Sequence, residues 1–235
     1  MAEVLVVAEA DIKVPEFISA AVADPSRTEA DRALDPHRKP EKLFAFFGIE
    51  PGQNIGELMC ASGFNVGVMS PIVGSEGTIH GQNSPLYLER FGDRLAERIS
   101  TSGLANVEQI IADMEHPGFT GPLDIVLSSM VYHDSVWMGV DRAAMNRAVR
   151  DSLKPGGFFC LVDHEAAAYN GPDEVKKTHR IARQFVIDEV TAAGFELVAE
   201  ADIYANAEDA LDLMVFNKKI RHRTRRFVLK FRKTG

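Results

Sequence analysis

Residues 53–74 read Gln53-Asn-Ile-Gly-Glu-Leu-Met-Cys-Ala-Ser-Gly-Phe-Asn-Val-Gly-Val-Met-Ser-Pro-Ile-Val-Gly74. A buried strand over 55–59, a turn of small residues and the opening of a helix follow one another here. That succession belongs to a parallel α/β sheet. The turn falls at the carboxyl end of the first strand, where open sheets of this kind bind nucleotide-like cofactors. Small side chains let the backbone approach a ligand, and the helix N-terminus behind them favours a carboxylate or phosphate. One glycine, Gly63, stands where such turns usually hold three.

Outward from this stretch, strand and helix patterns alternate. Apolar strand candidates cover 78–81, 107–112, 124–129 and 158–163. Between them, Leu88, Phe91, Leu95 and Ile99 share one helical face. Met145, Val149 and Leu153 share another, with Asp141 as its N-cap. Ile181, Phe185, Val186 and Val190 mark a third helix, which ends at Gly194. Strands alternating with helices imply parallel pairing and right-handed crossovers. The pattern then changes: 195–204 and 225–231 read as strands separated only by a short helix near 208–213, which makes the last strand antiparallel. The expected fold is α/β, a doubly wound, seven-stranded, mostly parallel sheet with an antiparallel last strand. Apolar positions at helical spacing also recur within 1–50, closed by Gly48 and Pro51-Gly52. The expected division is an N-terminal helical segment or lid over 1–50 and an α/β domain over 51–235.

The chain has 235 residues, enough for one sizeable core. Its 46% hydrophobic and 26% charged content is that of an ordinary globular protein. A net charge of −8 argues against a nucleic-acid or anionic-membrane surface over most of the chain. Cys60 and Cys160 are too few for a disulfide framework and suit a reducing cytoplasm. The apolar run from Val4 to Ala8 is flanked by Glu3 and Asp11 and does not read as a signal peptide. From Lys218 onward there are nine Lys or Arg and no acid, which reads as an exposed hairpin and a charged edge strand or as a contact with the acidic surface of another subunit. The expected partner is a small-molecule substrate, with a second copy of the chain as candidate homodimer partner and no nucleic acid or membrane.

Four strand ends carry candidate chemistry. The first is Glu57 to Gly63. At the second, Gln82 and Asn83 can hydrogen-bond ribose hydroxyls, or Asn83 and Ser84 can cap a helix. At the third, Asp113 can accept from an adenine amino group. The fourth is Ser128-Ser-Met-Val-Tyr-His-Asp134, with Asp163-His164 ending the neighbouring strand. Tyr132, His133, Asp134 and His164 on one rim supply a general base and an orienting acid. Their spacing matches no zinc pattern, so no metal is expected.

At these residues the chain resembles the class I S-adenosylmethionine-dependent methyltransferases, from about Phe44 to Lys233. The likeness rests on Phe46-Phe-Gly-Ile-Glu-Pro-Gly, Asp124-Ile-Val-Leu and Leu153-Lys-Pro-Gly-Gly. A narrower likeness is to a group of bacterial methyltransferases of uncharacterised substrate. It rests on Gln82-Asn83, Tyr132-His-Asp, Asp163-His164, His179-Arg-Ile181 and a closing Thr224-Arg-Arg-Phe-Val-Leu-Lys-Phe. The resemblance implies S-adenosylmethionine as cofactor, with Glu57, Ser62 and Gly63 at its amino-acid half. It also implies Gln82 and Asn83 at the ribose, Asp113 at the adenine and Ser128 nearby. Met130, Trp137, His179 and Arg180 become the substrate-side candidates. The superfamily's turn is acid-x-Gly-x-Gly-x-Gly; aligned on Glu57, Met59 and Ala61 replace its first two glycines. If those positions need positive φ, their side chains carry a steric penalty.

Two enzyme readings follow. In the first, a methyltransferase uses His133 or His164 to deprotonate an acceptor, Tyr132 or Asp134 orients it, and Met130, Trp137 and Met138 wall an aromatic or apolar substrate. In the second, the same scaffold runs cofactor-independent lyase, eliminase or isomerase chemistry on the same rim. A non-catalytic partner subunit is the third reading.

Overall fold

Strands that are apolar on both faces need helices on both sides, and the chain supplies them. The computed structural model describes residues 4–235. It begins with β1 (Leu5–Val7), α1 (Glu16–Val22), α2 (Glu29–Arg38) and α3 (Pro40–Phe47). The alternating part runs β2 (Asn54–Leu58), α4 (Phe64–Val73), β3 (Thr78–Asn83), α5 (Pro85–Phe91), α6 (Arg94–Ser102), β4 (Val107–Ile111), β5 (Leu123–Ser129), α7 (Tyr132–Trp137), α8 (Arg142–Ser152) and β6 (Leu153–Ala166). It closes with α9 (Pro172–Thr178), β7 (Ile181–Ala182), α10 (Arg183–Ala192), β8 (Phe195–Ala201) and β9 (Arg226–Lys233).

The sheet order is β1-β8-β9-β6-β5-β2-β3-β4, with β7 paired to β6. All pairings are parallel except those of β9, which runs antiparallel to both β6 and β8. The doubly wound plan with an antiparallel last strand is therefore the observed one. Among the described residues the sheet has nine strands, two more than expected. One addition is the two-residue β7. The other is β1, so the segment read as a helical preface opens with a strand.

Two apolar layers sandwich the sheet. One joins α1, α3 and α4 to the sheet through Ile18, Phe44, Phe47, Val66 and Met69. The other joins α7, α8 and α10 through Val136, Met145, Val149, Val186 and Val190. Phe44 and Phe47 are fully buried, and each contributes roughly 2–3 kcal/mol over an exposed side chain. α1 and α3 thus pack into the core, and the end of α2 carries Arg38 near the Glu57 carboxyl at the end of β2.

Three further expectations are corrected. The face drawn through Leu88, Phe91, Leu95 and Ile99 spans two helices, not one. Gly92 takes φ 75° between them, and Asp93 caps α6 by accepting from the Ala96 N–H. No helix forms over 208–213; the residues between β8 and β9 make turns and bends. The basic last strand is internal, with β6 on one side and β8 on the other, so its charges do not guard an edge. Among the described residues no helix is long and apolar enough to cross a membrane.

Candidate active site

The turn between β2 and α4 has the backbone that its sequence resists. Met59, Ala61 and Gly63 take φ 46°, 56° and 76°, so the left-handed form recurs at the three alternate positions where the resemblance places glycine. A left-handed residue with a Cβ costs roughly 1–2 kcal/mol, and neighbouring hydrogen bonds hold the turn against it. Gln82 Oε1 accepts from the Met59 N–H at 2.9 Å, and the Gln82 carbonyl accepts from the Cys60 N–H at 2.9 Å. Asn83 clasps Ala61 in both directions, accepting from its N–H and donating to its carbonyl, each at 2.9 Å. Gln82 Nε2 donates to the Ala112 carbonyl at 2.6 Å. Both amides are buried and hydrogen-bond the backbone of the turn, so Gln82 and Asn83 act as loop clamps. Arg98 pairs with Asp31 of α2 and donates to the Ser62 carbonyl at 2.6 Å, which ties the turn to the N-terminal helices. Gly63 has a second constraint: a Cβ there would lie 2.7 Å from Leu95 Cδ1.

Ala61→Gly is therefore expected to stabilise the fold by about 1 kcal/mol, the relief of the left-handed strain less the entropy of an added glycine. Urea denaturation measures it, and a destabilised variant would mean that the Ala61 methyl packs more than it strains.

Beneath the turn, Glu57 at the end of β2 and Ser128 at the end of β5 are 2% and 1% exposed. Glu57 Oε1 accepts from Asn65 Nδ2 at 2.6 Å, whereas Glu57 Oε2 and Ser128 Oγ have no hydrogen-bond partner. Burial pushes the Glu57 carboxyl up to about 8, although the Asn65 bond and the nearby Arg38 guanidinium oppose the rise. Arg38, at the end of α2, lies over the Phe64 ring at 4.3 Å. A groove of about 370 Å³ lies beyond, lined by Ser84, Asp113, Met114 and Met138. Asp113 is exposed on its wall. A larger groove, about 580 Å³, runs past Gly121, Pro122 and Ser152 where β5 begins. It lies away from the carboxyl ends at which such sheets bind ligands, so the smaller groove is the relevant one.

The rim is built around a carboxylate that the sequence placed only beside a histidine. Asp163, fully buried on β6, accepts from the His133 N–H at 2.9 Å, from the His164 N–H at 2.7 Å, and faces His133 Nδ1 at 2.7 Å. Its signal in the sequence is a lone acid ending an apolar run, Phe158 to Val162. His133 Nε2 faces Asp134 Oδ1 at 3.2 Å, and Trp137 Nε1 donates to that oxygen at 2.9 Å. Burial alone would lower the His133 pKa; Asp163 and Asp134 raise it to about 10. Burial raises Asp134, but the neighbouring His133 and His179 imidazoles outweigh this and hold it below the usual carboxylate range. His164 goes the other way, driven far below its ordinary value by burial and by the charge on His133. The two rings are 5.8 Å apart, and His164 Nδ1 meets Thr224 Oγ1 at 2.8 Å. The two neighbouring imidazoles are thereby shifted in opposite directions, His133 up and His164 down.

Two sequence-derived site residues are elsewhere. Tyr132 is buried on the other side, where its hydroxyl donates to Glu189 at 3.0 Å and accepts from Asn146 at 2.8 Å. It joins α7 to α8 and α10 and does not reach the rim. Arg180 is 1% exposed and donates to the Leu213 and Glu165 carbonyls and to Asp209. It pins the 202–225 connection. Met130 and His179 do reach the rim, both with left-handed backbone, at φ 58° and 54°. Missed altogether was Arg226, whose guanidinium lies 3.7 Å from Met130 Sδ and 3.9 Å above the Tyr204 ring.

Neither a protein-family model nor a curated protein matches the chain. Solved structures do. A methyltransferase of Aquifex aeolicus dependent on S-adenosylmethionine is 17% identical, with TM-score 0.61, over 90% of this chain and 99% of that one. An arsenic(III) S-adenosylmethionine methyltransferase of Chlamydomonas reinhardtii is 17% identical, with TM-score 0.58, over 95% and 75%. Aeropyrum pernix fibrillarin, solved with natively bound S-adenosylmethionine, is 17% identical, with TM-score 0.53, over 78% and 67%. The chain has the fold of the S-adenosylmethionine-dependent methyltransferases.

Proposed function

We propose that the chain is a methyltransferase that takes its methyl group from S-adenosylmethionine and passes it to a small apolar or aromatic acceptor. One observation carries this reading: a turn left-handed at 59, 61 and 63 stands above two buried polar atoms, Glu57 Oε2 and Ser128 Oγ, that have no partner. Such orphaned atoms cost roughly 1–3 kcal/mol each unless a ligand or water satisfies them. An ammonium group from an amino-acid ligand suits the Glu57 carboxyl, and the groove past Asp113 suits a flat heterocycle. The residues present therefore fit the methionine and adenine ends, while the amides of Gln82 and Asn83 hold the backbone of the turn.

When bound, S-adenosylmethionine supplies an electrophilic methyl carbon on a sulfonium. The chain's own contribution is to place an acceptor opposite it and to remove the acceptor's proton. His164 suits the second task. Its Nδ1 meets Thr224 Oγ1, the tautomer that donates there leaves Nε2 as the basic nitrogen, and burial holds the ring below its ordinary pKa. Asp163 holds its position by accepting from the His164 backbone N–H. Met130 and Trp137 offer the apolar wall.

Calorimetry with S-adenosylmethionine and with its demethylated product tests the donor half. Binding of both is expected, weakened roughly 10–100-fold in Glu57→Ala by loss of a charge-assisted contact. No heat and no thermal shift at millimolar ligand would overturn the reading and leave the cofactor-free alternative standing.

A further inference from the structure

We propose that His133, Asp134 and His179 form a binding site for a divalent first-row transition-metal ion, beside the methyl-donor turn and distinct from it. The three side chains offer His133 Nε2, an Asp134 oxygen and His179 Nδ1, all within 4.8 Å of one another. Asp134 Oδ1 is the common vertex, 3.2 Å from His133 Nε2 and 3.5 Å from His179 Nδ1. Both distances exceed the ~2.7–2.9 Å of a charge-assisted hydrogen bond. The first lies within, and the second just beyond, the ~3.0–3.4 Å edges between ligands that each sit ~2.1 Å from one ion in octahedral or tetrahedral geometry. The His133–Asp163 contact, at 2.7 Å, is by contrast an ordinary strong hydrogen bond.

The surroundings support the same assignment. Asp163 on His133 Nδ1 is the carboxylate that orients a metal-binding imidazole and aims its other nitrogen at the ion. Trp137 Nε1 already occupies one lone pair of Asp134 Oδ1. One oxygen has too few lone pairs for three donors, so two further imidazoles converging on it are better satisfied by a cation between them. His179 reaches the cluster from the C-terminal cap of α9, where it takes the left-handed conformation at φ 54°. The Trp137 and Phe216 rings lie 6.1 and 5.3 Å from the His179 ring, forming a partly apolar shell. His179 and Asp134 keep 23% and 28% side-chain exposure, which leaves an entry path. Two imidazoles and one carboxylate suit zinc, cobalt, iron or manganese better than magnesium or calcium.

In the proposed methyl transfer such an ion would bind the acceptor's hydroxyl or thiol and lower its pKa near His164. That consequence rests on the methyltransferase reading; the binding site does not. The test uses full-length protein freed of metal by chelation, with no methyl donor present, titrated with Co²⁺ by visible absorption and with Zn²⁺ by calorimetry. A single equivalent of each is expected. Affinity should fall roughly 100-fold in His179→Ala and stay unchanged in His37→Ala, which removes a histidine stacked on His222 elsewhere. Urea denaturation of His179→Ala checks that the variant is folded. Absence of stoichiometric binding, or equal binding by the parent and a folded His179→Ala, overturns the site. Neither result would bear on binding of S-adenosylmethionine by the metal-free protein.

Discussion

Asp163→Asn is expected to destabilise the protein by about 3–5 kcal/mol, the usual cost of removing one partner from a buried ion pair. Asp163 is fully buried, and its two oxygens serve the N–H groups of His133 and His164 together with the His133 ring. An asparagine keeps one acceptor oxygen but puts an NH2 where the other was, facing a donor. It also leaves the charge on His133 with only Asp134, at 3.2 Å and partly exposed, to balance it. Since whole domains are stable by roughly 5–15 kcal/mol, the variant should unfold at a much lower urea concentration at pH 7. Asp134→Asn is the comparison: its carboxylate keeps contact with water, so a cost of only about 1 kcal/mol is expected. Equal losses at the two positions would show that Asp163 has no special place in holding the rim together.

The sequence made the sheet legible because its signals are local. Ile55, Ile79 and Ile125 lie in short apolar runs separated by turn residues, and each run became a strand within one or two positions of its expected ends. Asp141 showed itself as a cap in the same way and accepts from the Ala144 N–H. What failed was information carried by partners distant in the chain. Val4 to Ala8 is too short to declare a strand; it is one because β8 lies beside it nearly 200 residues later. Gln82 and Asn83 look like ligands at a strand end, and nothing local shows that they clamp the backbone of a turn. Tyr132 and His133 are adjacent in sequence, yet α7 turns them to different neighbours, Glu189 and Asp163. The glycine replacements at 59 and 61 were legible as a problem; that the backbone stays left-handed there became visible only with the clamp that enforces it.

Glu57→Gln should change how stability depends on pH. The Glu57 carboxyl stands at about 8 in the folded chain against an ordinary 4.5. Above 4.5 the unfolded chain releases this proton while the folded chain keeps it, so the contribution to stability falls as pH rises. The fall continues to about 8 and then levels off, because both states are ionised. Across the window the loss is on the order of 3–5 kcal/mol. Glutamine retains an oxygen for Asn65 Nδ2 and cannot ionise, so the variant lacks this loss. Other carboxylates titrate alike in both proteins and cancel in the difference. Chemical denaturation at a series of pH values should therefore give a variant-minus-parent stability that climbs between 4.5 and 8 and is flat above; a difference constant with pH would mean Glu57 ionises normally. The groups facing this carboxyl are Arg38 from α2 and Asn65 from α4, with the Cys60 thiol near in the turn. Arg38→Met should raise its pKa further and shift the levelling point upward. A ligand that brings a positive charge to Glu57 would do the reverse, displacing the proton and recovering the lost stability. S-adenosylmethionine binding in the proposed site would therefore release a proton below pH 8, seen as a heat that varies with the buffer's ionisation enthalpy in the parent and not in Glu57→Gln.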